Sequence, residues 1–484
     1  MGDLPLRLSF DDVLLVPCES AILPADADLT TRLTGGIPLN IPVVSSAMDT
    51  VTEAELAIAL AREGGIGVIH RNMPIPDQAD MVARVKRSEN MVIPDPFTVT
   101  PETTLDTLQR IMIEKGVNGF PVVDADGGLC GMVTTRDIWL IENPAGTVAN
   151  VMTPREKLVT APVNTDIEEA RRLLYRNRIE KLPLVDDGGK LAGLITSQDI
   201  EKRERYTNAA KDPSGRLRVG AAIGVGEDCF ERAEAVIAAG ADAVFIDAAT
   251  GHTTRVFAVI ERLRSSHETP VVAGNVVTAK GAADLIGAGA SAIKVGVGPG
   301  SICTTRVISG VGMPQFSAIQ EVAGYSRGKG VPVIADGGIR YSGDVVKALA
   351  AGADLVMLGS LLAGCKESPG AMVNYQGRTW KEYRGMGSLK AMRKGSGDRY
   401  GQNASGKLVA EGVEARVPYR GPLSDTVFQL LGGLRSGMGY VGAANLGELR
   451  DKAQFVRITP GGLKESHPHD ITITEEPVNY QSAG

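Results

Sequence analysis

The sequence has few aromatic residues, few cysteines and no long apolar run. Phe, Trp and Tyr make up 4% of the 484 residues and the formal net charge is -6, which argues against a nucleic-acid-binding surface. The five cysteines form no Cys-x-x-Cys pair and show no metal-ligand spacing, as is typical of free thiols in a reducing cytoplasm. No apolar run reaches the ~18 residues of a membrane-spanning helix, and the N-terminus lacks a basic-then-apolar signal pattern. We therefore expect a soluble, cytoplasmic protein that binds neither membrane nor nucleic acid.

Short apolar runs alternate with helical stretches along most of the chain. Hydrophobic residues make up 43% of the sequence, and 58 Gly and 26 Pro indicate many tight turns around substantial cores. The eight strand-like runs are Val43–Met48, Gly67–His70, Leu217–Ile223, Ala243–Ala248, Val271–Gly274, Ala292–Val295, Val331–Ala335 and Leu355–Gly359. The helix-like segments between them include Val51–Glu63, Cys229–Ala239, Thr278–Ala288 and Gly343–Ala351. Eight such units predict an α/β fold, a (β/α)₈ TIM barrel, and a doubly wound open sheet is the alternative.

An internal repeat interrupts this alternation between about residues 93 and 205. Phe120–Asp124 followed by Gly131–Asp137 recurs as Leu182–Asp186 followed by Gly193–Asp199, and repeated units of this kind are modules. Each copy is predicted to be strand, turn, strand and a short helix. The predicted domains are therefore a first barrel part at 1–92, a paired module at 93–205 (about 93–150 and 151–205), and a second barrel part at 206–484.

Two further segments lie outside the repeating units. Residues Ser368–Gly421 are rich in Gly, Lys, Arg and Ser, and long loops without regular structure are commonly functional lids. We predict a mobile flap over about 380–421. Near the C-terminus, the alternating run Ile471–Thr474 predicts a strand.

The loop at 296–306 is the candidate catalytic segment. It follows the strand-like run Ala292–Val295, and the Gly298-Pro299-Gly300 sequence within it continues neither strand nor helix, which leaves backbone groups free to face a ligand. Cys303 ends this loop, and an accessible thiolate needs polar surroundings of this kind. The alternative is a small buried thiol behind a tight turn.

Polar residues and glycines follow several of the predicted strands at the ends where TIM barrels bind ligands. They are Ser46, Met48, Asp247, Asn275, Asp336, Gly337, Gly338, Gly359 and Ser360. Phosphate groups in such barrels commonly sit on the loops after the seventh and eighth strands, and a carboxylate such as Asp336 accepts hydrogen bonds from a ribose. Each residue alone is explained by a turn or a helix cap, but together they indicate a nucleotide monophosphate.

The sequence closely resembles the bacterial-type inosine-5′-monophosphate (IMP) dehydrogenases. The resemblance runs from about Leu8 to Tyr480. The matching segments are Phe10–Pro17, Ser45–Glu53, Gly298–Arg306, Asp336–Arg340, Tyr383–Ser388 and Asp398–Tyr400. The inserted repeat resembles a tandem CBS (cystathionine β-synthase-like, or Bateman) pair.

The resemblance implies an NAD-dependent oxidation of IMP to xanthosine 5′-monophosphate (XMP), a committed step of guanine nucleotide synthesis. Cys303 would add to C2 of the purine, and water would then hydrolyse the covalent thioimidate, so that one difficult oxidation becomes two easier steps. Arg399 and Tyr400 of the flap would enter the vacated cofactor site for hydrolysis, with Arg399 as the base. Because guanidinium normally stays protonated, Thr305, backed by Glu411, remains an alternative proton route.

Further residue roles are implied by the same resemblance. The substrate-binding set is Ser46, Met48, Ser301, Asp336, Gly337, Gly338, Gly359, Ser360, Tyr383, Arg384, Gly385, Met386, Gly387 and Glu411. The NAD-binding set is Asp247, Asn275, Gly296, Val297, Gly298 and Tyr440. A potassium ion would be bound by carbonyl groups of Gly298, Gly300 and Cys303, with Glu465, Ser466 and His467 of a neighbouring subunit. The ribose of ATP or GTP would be held in the inserted module by Thr134, Asp137, Thr196 and Asp199, which implies allosteric control in a homotetramer or octamer.

One departure from the family pattern concerns the residues after Asp247. The family commonly has hydroxyl residues there, whereas this chain has Ala248 and Ala249, so two contacts to the dinucleotide are expected to be missing.

Two other functions remain as alternatives. A GMP reductase shares the barrel and the Cys-Thr-Thr loop and consumes NADPH, and a nucleotide-sensing protein with an inactive barrel would use only the inserted module. The Arg399-Tyr400 pair argues against the reductase, and the intact catalytic positions argue against the sensor.

Overall fold

The chain forms two compact units in the computed structural model, which describes residues 4–89, 92–139, 146–198, 200–201, 206–402, 406–475, 477 and 479–480. The first unit contains the residues up to Ser88 together with those from Asn208 onward. The second unit is the inserted segment Glu89–Thr207. Among the described residues, no helix combines the length and apolar character that crossing a membrane requires.

The first unit is built on eight parallel strands. They are β1 (Val43–Ser45), β2 (Gly67–Ile69), β3 (Val219–Ile223), β4 (Ala243–Ile246), β5 (Val271–Val276), β6 (Ala292–Val295), β7 (Val333–Asp336) and β8 (Leu355–Leu358). Their order in the sheet is β1-β8-β7-β6-β5-β4-β3-β2. Ile66, directly before β2, exchanges backbone hydrogen bonds with Val43 and Ser45 of β1 (3.2 and 3.1 Å), which joins the two ends of this order. The sheet is therefore closed into a barrel, and the predicted TIM-barrel fold is confirmed.

The barrel strands form because their residues are apolar on both faces. Strands β3, β4 and β5 are buried at every position, as expected for parallel strands covered by helices outside and side chains inside. The interior is filled by residues such as Val68, Phe245 and Met357. Gly220 makes room for the largest of these, because a Cβ at Gly220 would lie 2.5 Å from the Phe245 ring.

Eight helices surround the strands. They are α1 (Ala54–Arg62), α2 (Ile75–Arg87), α3 (Cys229–Ala238), α4 (Thr254–Ser266), α5 (Ala279–Gly287), α6 (Gln315–Arg327), α7 (Ser342–Ala350) and α8 (Leu423–Val441). Side chains of Thr253 and Thr278 cap two of them by accepting hydrogen bonds from backbone N–H groups in the first turn, which satisfies donors that the helix itself leaves unpaired. Helix α8 packs on α7 and comes only after the flap segment, so the flap is an insertion between β8 and its helix.

The segment Ser368–Gly421, which includes the flap, has more regular structure than the sequence predicts. It contains a three-stranded antiparallel sheet, Met372–Tyr375, Arg378–Arg384 and Glu414–Pro418. It also contains the helix Leu389–Lys394 and the 3₁₀ turn Ser396–Tyr400. The prediction of a segment without regular structure is wrong here because its basic residues have structural partners. The Lys381 ammonium, which is buried, donates to the carbonyls of Cys365 and Ser368.

The inserted unit contains two similar halves. The first half pairs strands Gly119–Val123 and Leu129–Thr134 beside helix Leu105–Lys115. The second pairs Lys181–Val185 and Leu191–Thr196 beside helix Ile167–Asn177. Each half has its own apolar core, and hydrogen bonds join the two turns, for example from the Leu191 N–H to the Gly127 carbonyl (3.1 Å).

The C-terminal tail does not contain the predicted strand. Residues Ile471–Thr474 form no strand, and the side chain of Ile471 is 71% exposed. Alternation alone does not make a strand, because the backbone groups of a strand also need a partner strand. Instead, the tail contacts the barrel through His467 and Tyr480, whose rings pack against Tyr341.

Candidate active site

A cavity of about 350 Å³ opens at the carboxyl ends of the barrel strands. Residues from the N-terminal segment, the strand ends, the cysteine loop and the flap line it together. The sequence-predicted residues in its lining are Ser46, Met48, Asp247, Asn275, Gly296, Gly298, Gly300, Ser301, Cys303, Asp336, Gly337, Gly338, Gly359, Ser360, Tyr383, Gly385, Met386, Gly387, Arg399, Tyr400 and Glu411. Most of the predicted catalytic and ligand-binding residues therefore lie in one cavity.

The thiol of Cys303 lies in the cavity beside a hydroxyl group. Its Sγ donates to Thr305 Oγ1 (3.2 Å), and its backbone N–H donates to the Gly300 carbonyl (3.0 Å). The side chain is neither fully buried nor fully exposed, so the alternative of an inert buried thiol is not observed. Gly296 starts the loop with φ 140°, and a Cβ there would lie 2.3 Å from the Asp336 carbonyl oxygen, so the loop can approach β7 only with glycine at this position.

The root of the flap is hydrogen-bonded to the cysteine loop. The Val413 N–H donates to the Ile302 carbonyl (3.2 Å), and the Thr304 N–H donates to the Glu411 carbonyl (3.0 Å). In turn, the N–H of Glu411 donates to the Gly387 carbonyl (3.0 Å). The two arms of the flap are thereby held against the segment that carries the thiol.

Two glycines and two hydroxyl residues lie where the sequence predicts a phosphate site. Gly337 and Gly338, after β7, have φ of 86° and 81°, which L residues adopt with strain. Ser360 follows β8, and Tyr383 reaches the same area from the flap sheet. Burial raises the pKa of Tyr383 to about 12, although a hydrogen bond with Ser301 acts in the opposite direction. The Tyr383 hydroxyl therefore stays protonated and is available as a donor.

A buried lysine supports the polar residues in the middle of the cavity. Asn275 donates to Asp336 Oδ2 (2.9 Å) and to the Gly296 carbonyl (2.8 Å), and it accepts from Lys294 Nζ (3.0 Å). Burial lowers the pKa of Lys294, against the raising effect of Asp336 and Asp247. The network fixes the orientation of the Asp336 carboxylate, which is the predicted ribose acceptor.

Arg399 of the flap contacts the carboxylate that was predicted to bind the cofactor. Its guanidinium donates to Asp247 Oδ1, and its carbonyl accepts from the Ala249 N–H (3.2 Å). Burial acts to raise the pKa of Asp247, but the charges of Arg399, Arg71 and Lys294 outweigh it and the pKa is lowered. Asp247 is thus ionised and bound by the flap.

Arg71 is a second arginine at this carboxylate. Its Nε lies 3.5 Å from Asp247 Oδ2, and its Nη1 and Nη2 donate to the two oxygens of Asp398 (3.0 and 2.8 Å). The Arg71 side chain is 6% exposed. It was not among the predicted site residues.

Arg384, a predicted substrate residue, contacts a carboxylate instead of lining the cavity. It donates to both oxygens of Asp49, which also accepts from Asn72 (2.9 Å). Asp49 follows β1 and Asn72 follows β2, so this ion pair joins the flap sheet to the barrel.

Several other predicted residues lie outside the cavity lining. Thr305 is not in the lining, but its hydroxyl accepts a hydrogen bond from the Cys303 thiol. The Val297 carbonyl accepts from Arg306 Nε (3.1 Å). Tyr440 lies on α8 and is 68% exposed. Near the C-terminus, Glu465 and Ser466 are exposed, and His467 Nδ1 lies 3.0 Å from the Tyr480 hydroxyl.

Of the predicted nucleotide-binding residues in the inserted unit, three are described. The N–H and hydroxyl of Thr134 donate to Asp137 Oδ2 (2.7 and 2.9 Å), which caps the helix that starts at Thr135. Thr196 ends the corresponding strand of the second half. Asp199 lies outside the described residues.

Sequence reasoning missed Arg71, Asp398 and Lys294, but two signals point to them. Lys294 is a lysine inside an otherwise apolar strand, which is rarely tolerated without a partner. Arg71 follows β2 at the carboxyl end of the barrel, where the rule used for other strands applies equally. Asp398 was noted only as part of a motif, because its partner is distant in sequence.

The chain is similar to proteins of one family over nearly its whole length. The family model described as "IMP dehydrogenase / GMP reductase domain" matches residues 7–469. The inosine-5′-monophosphate dehydrogenase of Aquifex aeolicus is 56% identical over 477 residues, 98% of this chain and 97% of that protein. The inosine-5′-monophosphate dehydrogenase of Halalkalibacterium halodurans is 54% identical over 474 residues, 98% of each chain.

A solved structure of a related protein has the same fold. It is a cysteine-to-alanine variant of GMP reductase from Trypanosoma brucei in complex with guanosine 5′-monophosphate, with a TM-score of 0.91 and 39% sequence identity. The alignment covers 97% of this chain and 99% of that one.

Proposed function

The chain belongs to the IMP dehydrogenase / GMP reductase family, and from this premise we propose that it is an NAD-dependent IMP dehydrogenase that produces XMP. The observation that carries the proposal is the position of Cys303. It lines the same cavity as the glycines that we expect to bind a phosphate, the Asp336 carboxylate that we expect to bind a ribose, and residues of the flap. Identity above 50% to proteins named as IMP dehydrogenases supports the same choice.

The substrate is proposed to lie with its phosphate at the carboxyl ends of β7 and β8. Gly337, Gly338, Gly359 and Ser360 would donate to the phosphate, together with the protonated hydroxyl of Tyr383. Asp336 would accept from the ribose hydroxyls, since Asn275 and Lys294 hold its carboxylate in place. The purine would then lie against Met48 and the Gly385–Gly387 segment, within reach of Cys303.

The chemistry is proposed to proceed in two steps on Cys303. The thiol loses its proton to solvent as the sulfur forms a bond to C2 of IMP, and the C2 hydrogen departs with its electron pair, which leaves a thioimidate. NAD supplies the acceptor for that hydride when bound. Water then adds to C2 and the carbon–sulfur bond breaks, which releases XMP and restores the thiol.

The flap is proposed to act in the second step. Arg399 contacts Asp247, and a ribose of the dinucleotide would need the same carboxylate, so the two are expected to alternate. Asp247 fits this role because its Oδ2, although buried, forms no hydrogen bond to any described group. The charge of Asp247 raises the pKa of Arg399, against the effect of burial. Arg399 is therefore charged in this closed arrangement, which favours Thr305, beside the thiol, as a relay whose hydroxyl takes a proton from water while it passes its own toward Glu411.

The remaining predicted partners are part of the same proposal. Carbonyls of Gly298, Gly300 and Cys303 would bind potassium with Glu465, Ser466 and His467 of a neighbouring subunit in a homotetramer. The Gly300 carbonyl already accepts from the Cys303 N–H, so it would offer its second lone pair. The inserted unit is proposed to be a CBS pair that binds ATP or GTP.

GMP reductase is the second candidate, because a GMP reductase is among the solved structures that are similar to this chain. One experiment separates the two functions. The protein is incubated with IMP and NAD, and NADH absorbance is recorded. We expect NADH to accumulate with XMP. If the protein instead consumes NADPH in the presence of GMP, it is a reductase, and if it does neither, the barrel is inactive.

A further inference from the structure

Arg71 lies between the barrel and the flap, with a carboxylate on each side. On the barrel side, its Nε is 3.5 Å from Asp247 Oδ2, and both atoms are buried without a hydrogen bond to any described group. On the flap side, its two terminal guanidinium nitrogens donate hydrogen bonds to the two carboxylate oxygens of Asp398. Paired N–H···O bonds of this kind combine charge with fixed geometry.

The four charged groups alternate in sign. Arg399 contacts Asp247, Asp247 lies beside Arg71, and Arg71 pairs with Asp398, which precedes Arg399 in the chain. When the flap is closed, its Asp398 and Arg399 therefore lie against Arg71 and Asp247 of the barrel. Without Arg71, closure would bring Asp398 toward Asp247 with one cation fewer beside them. Like charges at such a site oppose one another strongly.

The backbone beneath the pair is shaped for this contact. A Cβ at Gly224 would lie 3.0 Å from the Arg71 guanidinium carbon and 3.0 Å from Asp398 Oδ2. A side chain at this position in the loop after β3 would crowd both groups, so the glycine favours their close approach. This is a second feature, on a third segment of the chain, that accommodates the Arg71–Asp398 pair.

We propose that Arg71 is a positioning residue that holds the flap closed through Asp398, and that this pair sets the rate of hydrolysis relative to hydride transfer. The inference rests on the proposed function, because it concerns the second step of that reaction. Hydride transfer takes place with the flap away from Asp247, so it does not depend on the pair. Hydrolysis requires the closed flap and does depend on it.

The decisive variant is Asp398→Asn, because Asp398 belongs to the flap and its side chain is 35% exposed. We expect the burst of NADH formed in the first turnover to keep its amplitude. The steady-state rate should fall about tenfold, which corresponds to an increase of about 1.4 kcal/mol in the activation free energy. We also expect stronger inhibition by excess NAD, because a flap that closes less often leaves Asp247 open to a second dinucleotide. A purely structural defect would not produce this inhibition.

Companion variants test whether the two residues act together. Arg71→Lys keeps the charge but not the fork, and we expect an intermediate steady-state rate. The double variant Arg71→Gln with Asp398→Asn should have the steady-state rate of Arg71→Gln alone, since coupled residues are not additive. Lys390→Gln is the matched control, because it removes an exposed flap ion pair with Glu414 (2.9 Å) and should change nothing.

The possible failures are distinguishable. If Asp398→Asn lowers the first turnover and the steady state equally, or leaves both unchanged, the inference about Arg71 is wrong. If the wild-type protein forms no NADH from IMP and NAD, the proposed function is wrong. In that case amide hydrogen exchange over residues 396–402 still tests the contact, because Asp398→Asn should speed exchange there at least several-fold, and equal exchange in the two proteins would refute it.

Discussion

At the scale of single residues, two thiols of the first unit differ in how deeply they are buried. Cys303 lies half-buried beside Thr305 in the cavity. Cys365 is fully buried beneath the flap sheet, and burial raises its pKa to about 11. The two cysteines therefore differ in reactivity for a reason that lies in their surroundings.

Replacement of Cys303 by alanine should abolish XMP formation without abolishing IMP binding. The phosphate and ribose contacts come from other segments, and only the covalent step needs the sulfur. IMP binding is measured by calorimetry and turnover by NADH absorbance. Residual NADH formation above the background of a mock preparation would contradict the covalent mechanism. Cys18→Ala, which changes a half-buried thiol elsewhere, is the control and should retain full activity.

Cys365 should make the protein less stable at alkaline pH. The unfolded thiol ionises at its ordinary pKa of about 9, whereas the folded thiol holds its proton to about 11. The contribution of this thiol to stability is therefore complete below pH ~9 and is lost as the pH rises toward 11, by at most about 2–3 kcal/mol at 1.36 kcal/mol per pKa unit. Urea unfolding of wild type and Cys365→Ala at pH 8 and 10.5 measures it. A gap between the two proteins that does not change with pH would contradict the expectation.

Where the relevant signal is local, residue-scale prediction named residues that the structure brings together in one cavity. The glycines and Cys303 of the catalytic loop stand in one short stretch, so composition alone marked them. Arg71 and Asp398 are far apart in sequence and meet only through the fold. Likewise, the contact of Arg384 with Asp49 could not be anticipated, because no pattern in either segment records the other.

At the scale of elements, the barrel strands were predictable and the flap was not. Parallel strands that are buried on both faces appear as continuous apolar runs, so all eight were located to within a few residues. The flap sheet depends instead on cross-strand contacts of polar residues, such as Arg416 stacked 3.4 Å above the Tyr375 ring. Such pairs have no periodicity that a single sequence reveals. The run Ile471–Thr474 failed for the opposite reason, since it has the periodicity but no partner strand.

The variant Arg399→Ala should slow hydrolysis without slowing hydride transfer. Arg399 contacts Asp247 only when the flap is closed, so removal of its side chain should leave the first turnover of NADH intact. Hydrolysis should slow at least tenfold, because the side chain that we propose to fill the cofactor site during that step is missing. Rapid-mixing absorbance resolves the two phases. An equal loss in both phases would show that Arg399 does not act through the closed flap.

At the scale of the whole molecule, buried charges join the two segments of the first unit that flank the inserted unit in the chain. Lys86, near the end of α2, donates to Asp212 (3.2 Å) and Asp242 (2.6 Å), and Arg218 also pairs with Asp242 (3.3 Å). Nearby, the Asn208 side chain donates to the Glu63 carbonyl (2.7 Å). These contacts hold the two points of insertion together without any residue of the inserted unit.

Replacement of residues 89–207 by a short Gly-Ser linker should therefore leave a folded, active barrel. We expect kcat with IMP and NAD to stay within about twofold of wild type, since residues in the inserted unit contribute none of the described cavity lining. Any effect of ATP or GTP on the rate should disappear. Activity is measured with and without each nucleotide. The same deletion with Lys86→Met should be less stable, because it leaves Asp212 and Asp242 buried without this cation.

The pairing of Ile302 with Val413 and of Gly387 with Glu411 has an evolutionary consequence. The thiol-bearing loop is braced by both arms of the flap close to where they leave the barrel, so substitutions and length changes farther out leave the bracing untouched. Descendants of a common ancestor can therefore diverge in the outer part of this segment while they preserve the nucleophile. Apart from Asp398, Arg399 and Tyr400, we expect sequence variation among relatives to concentrate between residues 389 and 410, and to be rare at the braced positions on either side.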